Sequence, residues 1–271
     1  MGRAKGPPPG TSPPALIFIN SGIVHHTGIW RLHVRTARAL AESGIASLRF
    51  DLSGIGDSEN PRTAIPLDDL IRRDLDAAVS YVHEARGVDR VVMMGLCSGA
   101  WDSLDAAVRN SGIVGIVAVD LIADLRTWQF HLIHFKNRLF RLETWANVLT
   151  GKHPRIRAVF NGILRRDPAE EPPEAGSGPM LGVRPLLHRD RFREMVSVLQ
   201  EREAEMLFLY SNGLEENFNH ASQFAQAVPD LAAHPRVDTG FFPSADHTFS
   251  RRDQQQALIG RVVEWMAERF G

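Results

Sequence analysis

Short, mainly apolar runs alternate along this chain with longer segments whose apolar residues recur every three or four positions. The runs Ala15–Asn20, Ile45–Asp51, Arg90–Gly95, Ile113–Val119, Glu205–Ser211 and Val237–Phe242 predict strands. Between them, Trp30–Ser43, Leu67–His83, Gly99–Arg109, Phe218–Val228 and Arg251–Phe270 predict helices. In the second of these, Leu67, Ile71, Leu75, Ala78 and Val82 fall on one face; in the last, Leu258, Ile259, Val262, Val263, Met266 and Phe270 do. Strands without a polar face must be covered on both sides. The expected fold is therefore α/β, a mostly parallel central sheet with helices on both faces. The alternation lapses after Asp120, in a helical, aromatic stretch with a Pro/Glu/Gly-rich segment at Asp167–Pro179. The expected organisation is a flexible lead at 1–14, a core of 15–123 and 205–271, and a helical cap or lid inserted over 124–204.

Composition narrows the class. The chain has 271 residues, 44% hydrophobic, and a net charge of −1, which argues against nucleic acid as the main partner. No run of 18 apolar residues exists to span a membrane, and Ala15–Ile19 is too short for a signal-peptide core, so a cytoplasmic location is expected. A single cysteine excludes an internal disulfide and a cysteine-rich metal site. Cys97 is thus either a small buried hydrophobe or a reactive thiol.

Its context favours reactivity. Gly95-Leu96-Cys97-Ser98-Gly99 lies between a predicted strand and a predicted helix, the G-x-S-x-G nucleophile elbow with Cys in place of Ser. Side chains at the two flanking positions would strike the neighbouring strand and helix, hence the glycines. The following helix N-terminus favours a thiolate. A general base must arrive from another segment, and His247, after the last predicted strand, can reach the strand ends. Asp246 beside it reads as a turn residue. For the orienting carboxylate, expected after the penultimate strand, Glu215 is the first choice and Glu216 the second. Asp120, ending the strand before the insertion, competes with both. An oxyanion hole would use the N–H of Ser98 and that of Gly22 or Ile23. His25 and His26, just beyond, read as pocket lining or as solvent-exposed. In Asp51-Leu52-Ser53-Gly54-Ile55-Gly56-Asp57-Ser58 no helix starts within the glycines, so a turn supporting the pocket floor is expected rather than a dinucleotide site. No cofactor or metal is expected.

The elbow, the Asp51–Ser58 turn, Asn20-Ser21-Gly22 and Asp246-His247-Thr248-Phe249 together resemble the α/β-hydrolase superfamily, over residues 15–123 and 205–270. The stretch Gly95–Ala100, with Arg49-Phe50-Asp51 upstream, looks most like hydrolase-like proteins of bacterial exopolysaccharide (exosortase-associated) and biosynthetic gene clusters. Dienelactone hydrolases and polyhydroxyalkanoate synthases are similar in using Cys at the elbow. The chain departs from the family pattern in three places. Little sequence precedes the first strand to form the usual antiparallel hairpin. Asn20-Ser21 stands where His-Gly is common, and Leu214 stands about where the family's acid is expected.

Between residues 124 and 166 nine basic residues face two acidic ones, a local excess of positive charge in a chain of net −1. Such an excess suits a solvated helical surface, or a cap mouth attracting an anion: a coenzyme A or phosphopantetheine arm, an acidic carrier protein or an acidic glycan. Trp128, Phe130, His131, His134, Phe135, Phe140 and Trp145 are expected to pack the cap onto the sheet, part of them lining an acyl pocket. The expected activity is acyl hydrolysis of an ester or thioester through a Cys97 acyl-enzyme. The alternatives are acyl transfer from a CoA or carrier-protein thioester to an amine or alcohol, and a non-catalytic binding protein on the same fold.

Overall fold

The computed structural model describes residues 12–61, 64–139, 184–214 and 216–271. Six strands form one sheet in the order β2-β1-β3-β4-β5-β6, every neighbouring pair parallel. They are β1 (Ala15–Phe18), β2 (Ser47–Arg49), β3 (Val91–Leu96), β4 (Ile113–Val119), β5 (Glu205–Ser211) and β6 (Val237–Phe242). Alternate residues of each apolar strand enter opposite layers, which is why these strands carry no polar face. Leu16, Phe18, Val92, Met94, Val117, Val119, Leu207 and Leu209 pack under α1 (Leu32–Glu42) and the C-terminal helix (Arg252–Phe270). Ile17, Met93, Ile116, Ala118, Met206 and Phe208 pack on the other face, under α2 (Leu67–Arg86) and α3 (Ser98–Arg109).

Beyond β4 comes α4 (Trp128–Leu139), and a second long helix, α5 (Arg189–Glu201), leads into β5. In α5, Phe192, Met195, Val196 and Leu199 are buried in the same layer as α3, with the Phe192 and Phe208 rings edge to face at 5.5 Å. The segment after residue 188, read in sequence as the end of the insertion, thus packs as the crossover helix between β4 and β5. The Pro/Glu/Gly-rich segment, Phe140, Trp145 and most of the basic residues of 124–166 lie outside the described residues. Trp128 and Phe135 on α4 are largely exposed, whereas Phe130 is buried, so among the described aromatics only part of the expected packing is present. No helix among the described residues is long and apolar enough to cross a membrane.

The helix expected over Phe218–Val228 is shorter. Only Gln223–Ala227 is α-helical (α6), followed by α7 (Pro229–Ala232). The Gln223 side chain accounts for the late start. It accepts the Asn219 N–H at 2.9 Å and donates to the carbonyls of Asn217 at 2.7 Å and Leu125 at 3.1 Å, fixing an irregular entry. The final helix is then α8 (Arg252–Phe270), with Trp265 fully buried in addition to the expected stripe.

Candidate active site

The C-terminal ends of β3, β4 and β6 bring Cys97, Asp120 and His247 together. Cys97 caps α3 with φ 57° and ψ −112°, a backbone region costly for a residue with a Cβ. The turn is pinned by the Cys97 N–H, which donates to the Val119 carbonyl at 2.9 Å, and by the Cys97 carbonyl, which accepts from Ala100 and Trp101. Both flanking glycines are obligatory here. A Cβ on Gly95 would lie 2.1 Å from the Gly99 carbonyl group, and one on Gly99 would lie 2.6 Å from the Asn20 carbonyl oxygen. Elbow, strand and helix therefore close on one another without side chains between them, and the half-buried thiol stands at the sheet edge.

His247 sits in the loop between β6 and α8. Its Nδ1 lies 2.9 Å from Asp120 Oδ2, and Cys97 is close enough to add to the pull on the ring's proton. Asp120 is fully buried at φ 50°, and it accepts two further bonds of 2.6 Å, from the Ser211 N–H and the Ser211 hydroxyl. A carboxylate so satisfied is held in one orientation, and as the acceptor at Nδ1 it favours the Nδ1–H tautomer of the ring. The Asp120 bond, with the contact to Cys97 adding to it against the cost of burial, pushes the His247 imidazole up to about 10.

The third position corrects the sequence reading. Glu215, the first choice, lies outside the described residues, and Glu216 is exposed. Among the described residues the carboxylate on His247 is Asp120, the competitor. The end of β5 serves instead as support: Ser211 orients Asp120, and Gly213 runs so close beneath the histidine that a Cβ there would meet the His247 nitrogen at 1.9 Å. Asp246 is the expected turn residue. Burial raises its acid, but bonds from Ser250 and Thr248 outweigh this and hold it at about 2.

The oxyanion reading changes as well. The Ser98 N–H, first in α3, has no intrahelical acceptor and faces the elbow. The Gly22 N–H, however, donates to the Ser98 hydroxyl oxygen at 2.8 Å, because the buried hydroxyl takes the nearest donor of the β1–α1 loop. Gly22 is therefore engaged rather than free, and the Ile23 side chain is 74% exposed. Asn20 ties the β1–α1 loop to the end of β2: its amide donates to the Val24 carbonyl at 2.7 Å and to Asp51 at 2.8 Å, and its oxygen accepts the Leu52 N–H at 2.9 Å. Sequence reading noted Asn20 only as a departure. Its position at a strand end, facing an aspartate at the next strand end, was the available signal.

Comparison with known proteins agrees with this fold. Residues 11–155, more than half of the chain, match the family model described as serine aminopeptidase, S33. Among solved structures, an esterase of Pyrococcus furiosus superposes with a TM-score of 0.60 at 15% identity, covering 96% of this chain and 83% of that one. A proline iminopeptidase of Mycobacterium smegmatis gives 0.53 at 18% identity, covering 96% and 91%. The mouse α/β-hydrolase domain-containing protein 10 gives 0.51 at 19%, covering 98% and 92%. At these identities the superpositions speak to the fold. No curated protein matches the sequence significantly. The parallel sheet, the strained elbow after its third strand and the family match together make this chain an enzyme-class member of the α/β-hydrolase superfamily, in the family described as serine aminopeptidase, S33.

Proposed function

We propose that the chain is an acyl hydrolase that works through a Cys97 acyl-enzyme, with His247 as acid and base and Asp120 as its orienting carboxylate. The observation that carries this reading is the His247 ring, hydrogen-bonded through Nδ1 to the buried Asp120 at 2.9 Å and near enough to Cys97 for the sulfur to help hold the ring's proton. An imidazole that holds its proton up to about 10 keeps that proton available beside the thiol at neutral pH. The Cys97 sulfur, as thiolate, attacks the carbonyl carbon of an ester or thioester, and the carbonyl electron pair moves onto oxygen. The Ser98 N–H and a donor of the Gly22–Ile23 loop face that oxyanion. Collapse expels the alkoxide or thiolate, which takes the His247 proton, and leaves a Cys97 thioester. With the sulfur acylated, Cys97 no longer helps to hold a proton on the ring, so His247 can accept one from water. The resulting attack releases the acid and restores the thiolate–imidazolium pair.

Acyl transfer is a second reading, favoured by the sulfur itself. The matching family model is described by serine, whereas a thioester intermediate is open to amines and thiols as well as water. A CoA or carrier-protein donor, a cytoplasmic setting and a capping insertion around 124–188 belong to the same proposal, supported by the basic bias of that stretch.

The test is hydrolysis of acyl-thioesters, nitrophenyl esters and aminoacyl anilides by the wild type, Cys97→Ala and Cys97→Ser. The proposal expects thioesters and esters to be turned over, with loss of at least about 10³-fold in Cys97→Ala. Acceptor-dependent turnover would select the transfer reading. Full activity in Cys97→Ala would overturn both.

A further inference from the structure

A second group of chemistry-bearing side chains lies outside the Cys97 site, where the β1–α1 loop meets the β2–α2 loop. His25, His26, Asp51 and Asp57 each turn one ligand-type atom inward, all within 4.8 Å of one another. His26 Nδ1 lies 2.7 Å from Asp51 Oδ2 and 4.0 Å from Asp57 Oδ2. His25 Nε2 lies 3.6 Å from Asp51 Oδ2 and 3.1 Å from Asp57 Oδ2. These four separations bracket the edge of about 3.3 Å that a tetrahedron has when its bonds are about 2.0–2.1 Å long. The two imidazole rings lie with centroids 3.8 Å apart and planes tilted by 39°.

The surroundings are built. The Asp51 side chain is 1% exposed; its Oδ1 accepts the Asn20 amide and the His26 N–H, while Oδ2 faces the histidines and also accepts the Asp57 N–H at 3.1 Å. Thr27 holds the outer nitrogen of the His25 ring, Nδ1, with its Oγ1 at 3.4 Å and its N–H, which donates to that nitrogen at 3.3 Å. Gly56 (φ 52°) lets the groups close: a Cβ there would lie 2.3 Å from Asp51 Oδ2 and 2.7 Å from His25 Cδ2. Two neutral imidazoles and two carboxylates carry a charge of −2, which a divalent ion neutralises. Asp57, 81% exposed, leaves a way in.

We propose that His25 Nε2, His26 Nδ1, Asp51 Oδ2 and Asp57 Oδ2 form a four-coordinate site for a divalent transition metal of the zinc class, whose nitrogen and oxygen donor set suits zinc or cobalt better than calcium or magnesium. Bound there, the ion ties the β1–α1 loop, which carries Asn20 and Gly22, to the β2–α2 loop. The role is structural and independent of the acyl chemistry at Cys97.

Untagged, full-length protein freed of metal with a chelator is titrated with Co(II) and, separately, with Zn(II). The expected result is one equivalent of cobalt bound with the intense visible absorption of four-coordinate Co(II), and a rise in Tm of roughly 5–10 °C at zinc concentrations about a hundredfold above Kd. His25→Ala and Asp57→Asn, both at partly or largely exposed positions, should keep the metal-free Tm and lose the cobalt band and at least about tenfold in affinity. The proposal is overturned if the wild type shows neither band nor Tm shift, if the spectrum is that of six-coordinate cobalt, or if both variants bind as the wild type does.

Discussion

Two buried aspartates end parallel strands in this molecule, and each receives a histidine Nδ1: Asp120 takes His247 at 2.9 Å, and Asp51 takes His26 at 2.7 Å. In the first pair, Asp120 is also bonded by the Ser211 N–H and hydroxyl, and the His247 ring lies near the Cys97 thiol, the arrangement proposed above for proton transfer. The second is built for holding: beyond His26 stand a second imidazole and a second carboxylate, and Asp51 itself anchors three loop groups, the Asn20 amide and the N–H of His26 and Asp57. Burial presses the Asp51 acid upward, yet these bonds together hold it below its ordinary range. On the two proposals, the same carboxylate–imidazole unit acquires a different capacity from what lies beside the ring: a thiol in one case, further nitrogen and oxygen donors in the other.

The contrast can be broken by exchanging either carboxylate for its amide. Asp120→Asn removes the main cause of the raised His247 value and the tautomer restraint, so thioester turnover should fall about 10–100-fold, a smaller loss than a serine enzyme suffers because a thiol ionises more readily. In the same variant, the His247 ring protons followed by NMR should titrate well below the wild-type value of about 10. Asp51→Asn should instead spare that titration and cost stability, about 2–4 kcal/mol in denaturant unfolding, because amide nitrogen cannot accept the bonds the carboxylate now takes. Equal effects of both changes on the His247 titration would erase the distinction.

Proton linkage sharpens it further. His247 holds its proton in the folded chain up to about 10 and, unfolded, only to about its ordinary 6.5. The stabilisation is therefore complete below pH 6.5 and is lost as pH rises through 10. Thermal unfolding between pH 6 and pH 10 should show a Tm decline in the wild type that is shallower in His247→Gln. The smallest effect is expected at Ser98. Ser98→Ala leaves both main-chain donors and frees the Gly22 N–H, so the rate should change by less than about tenfold, against the about 10²–10³ that loss of an oxyanion donor costs.

The strands at 113–119 and 205–211 were legible in the sequence to the residue, because a strand buried on both faces leaves a nearly continuous apolar run. The edge strand at 237–242, with Asp238 and Thr239 inside it, was legible from the apolar residues at its two ends. The elbow was legible for a different reason: its glycines are steric necessities, and Cys97 is the one cysteine. Asp120 was harder to rank, since its claim depends on β4 and β5 ending together so that Ser211 and the His247 loop converge on it, a tertiary fact. Gly213 excludes a side chain beneath His247 in a way that no local pattern reveals. His25, His26 and Asp51 were hidden similarly. Two loop histidines 25 residues or more from their carboxylate have no periodicity, and only the parallel pairing of β1 with β2 sets them face to face.

The central claim, that the sulfur of Cys97 carries the acyl group, is tested most directly by mixing the protein with a slowly hydrolysed acyl-thioester, quenching in acid within the first turnovers, and mapping the adduct by peptide mass spectrometry. The account predicts one acyl group per chain on Cys97, forming and decaying at rates consistent with turnover. An acyl group on the adjacent Ser98 hydroxyl, or steady turnover with no adduct on the Gly95–Gly99 peptide, would contradict it.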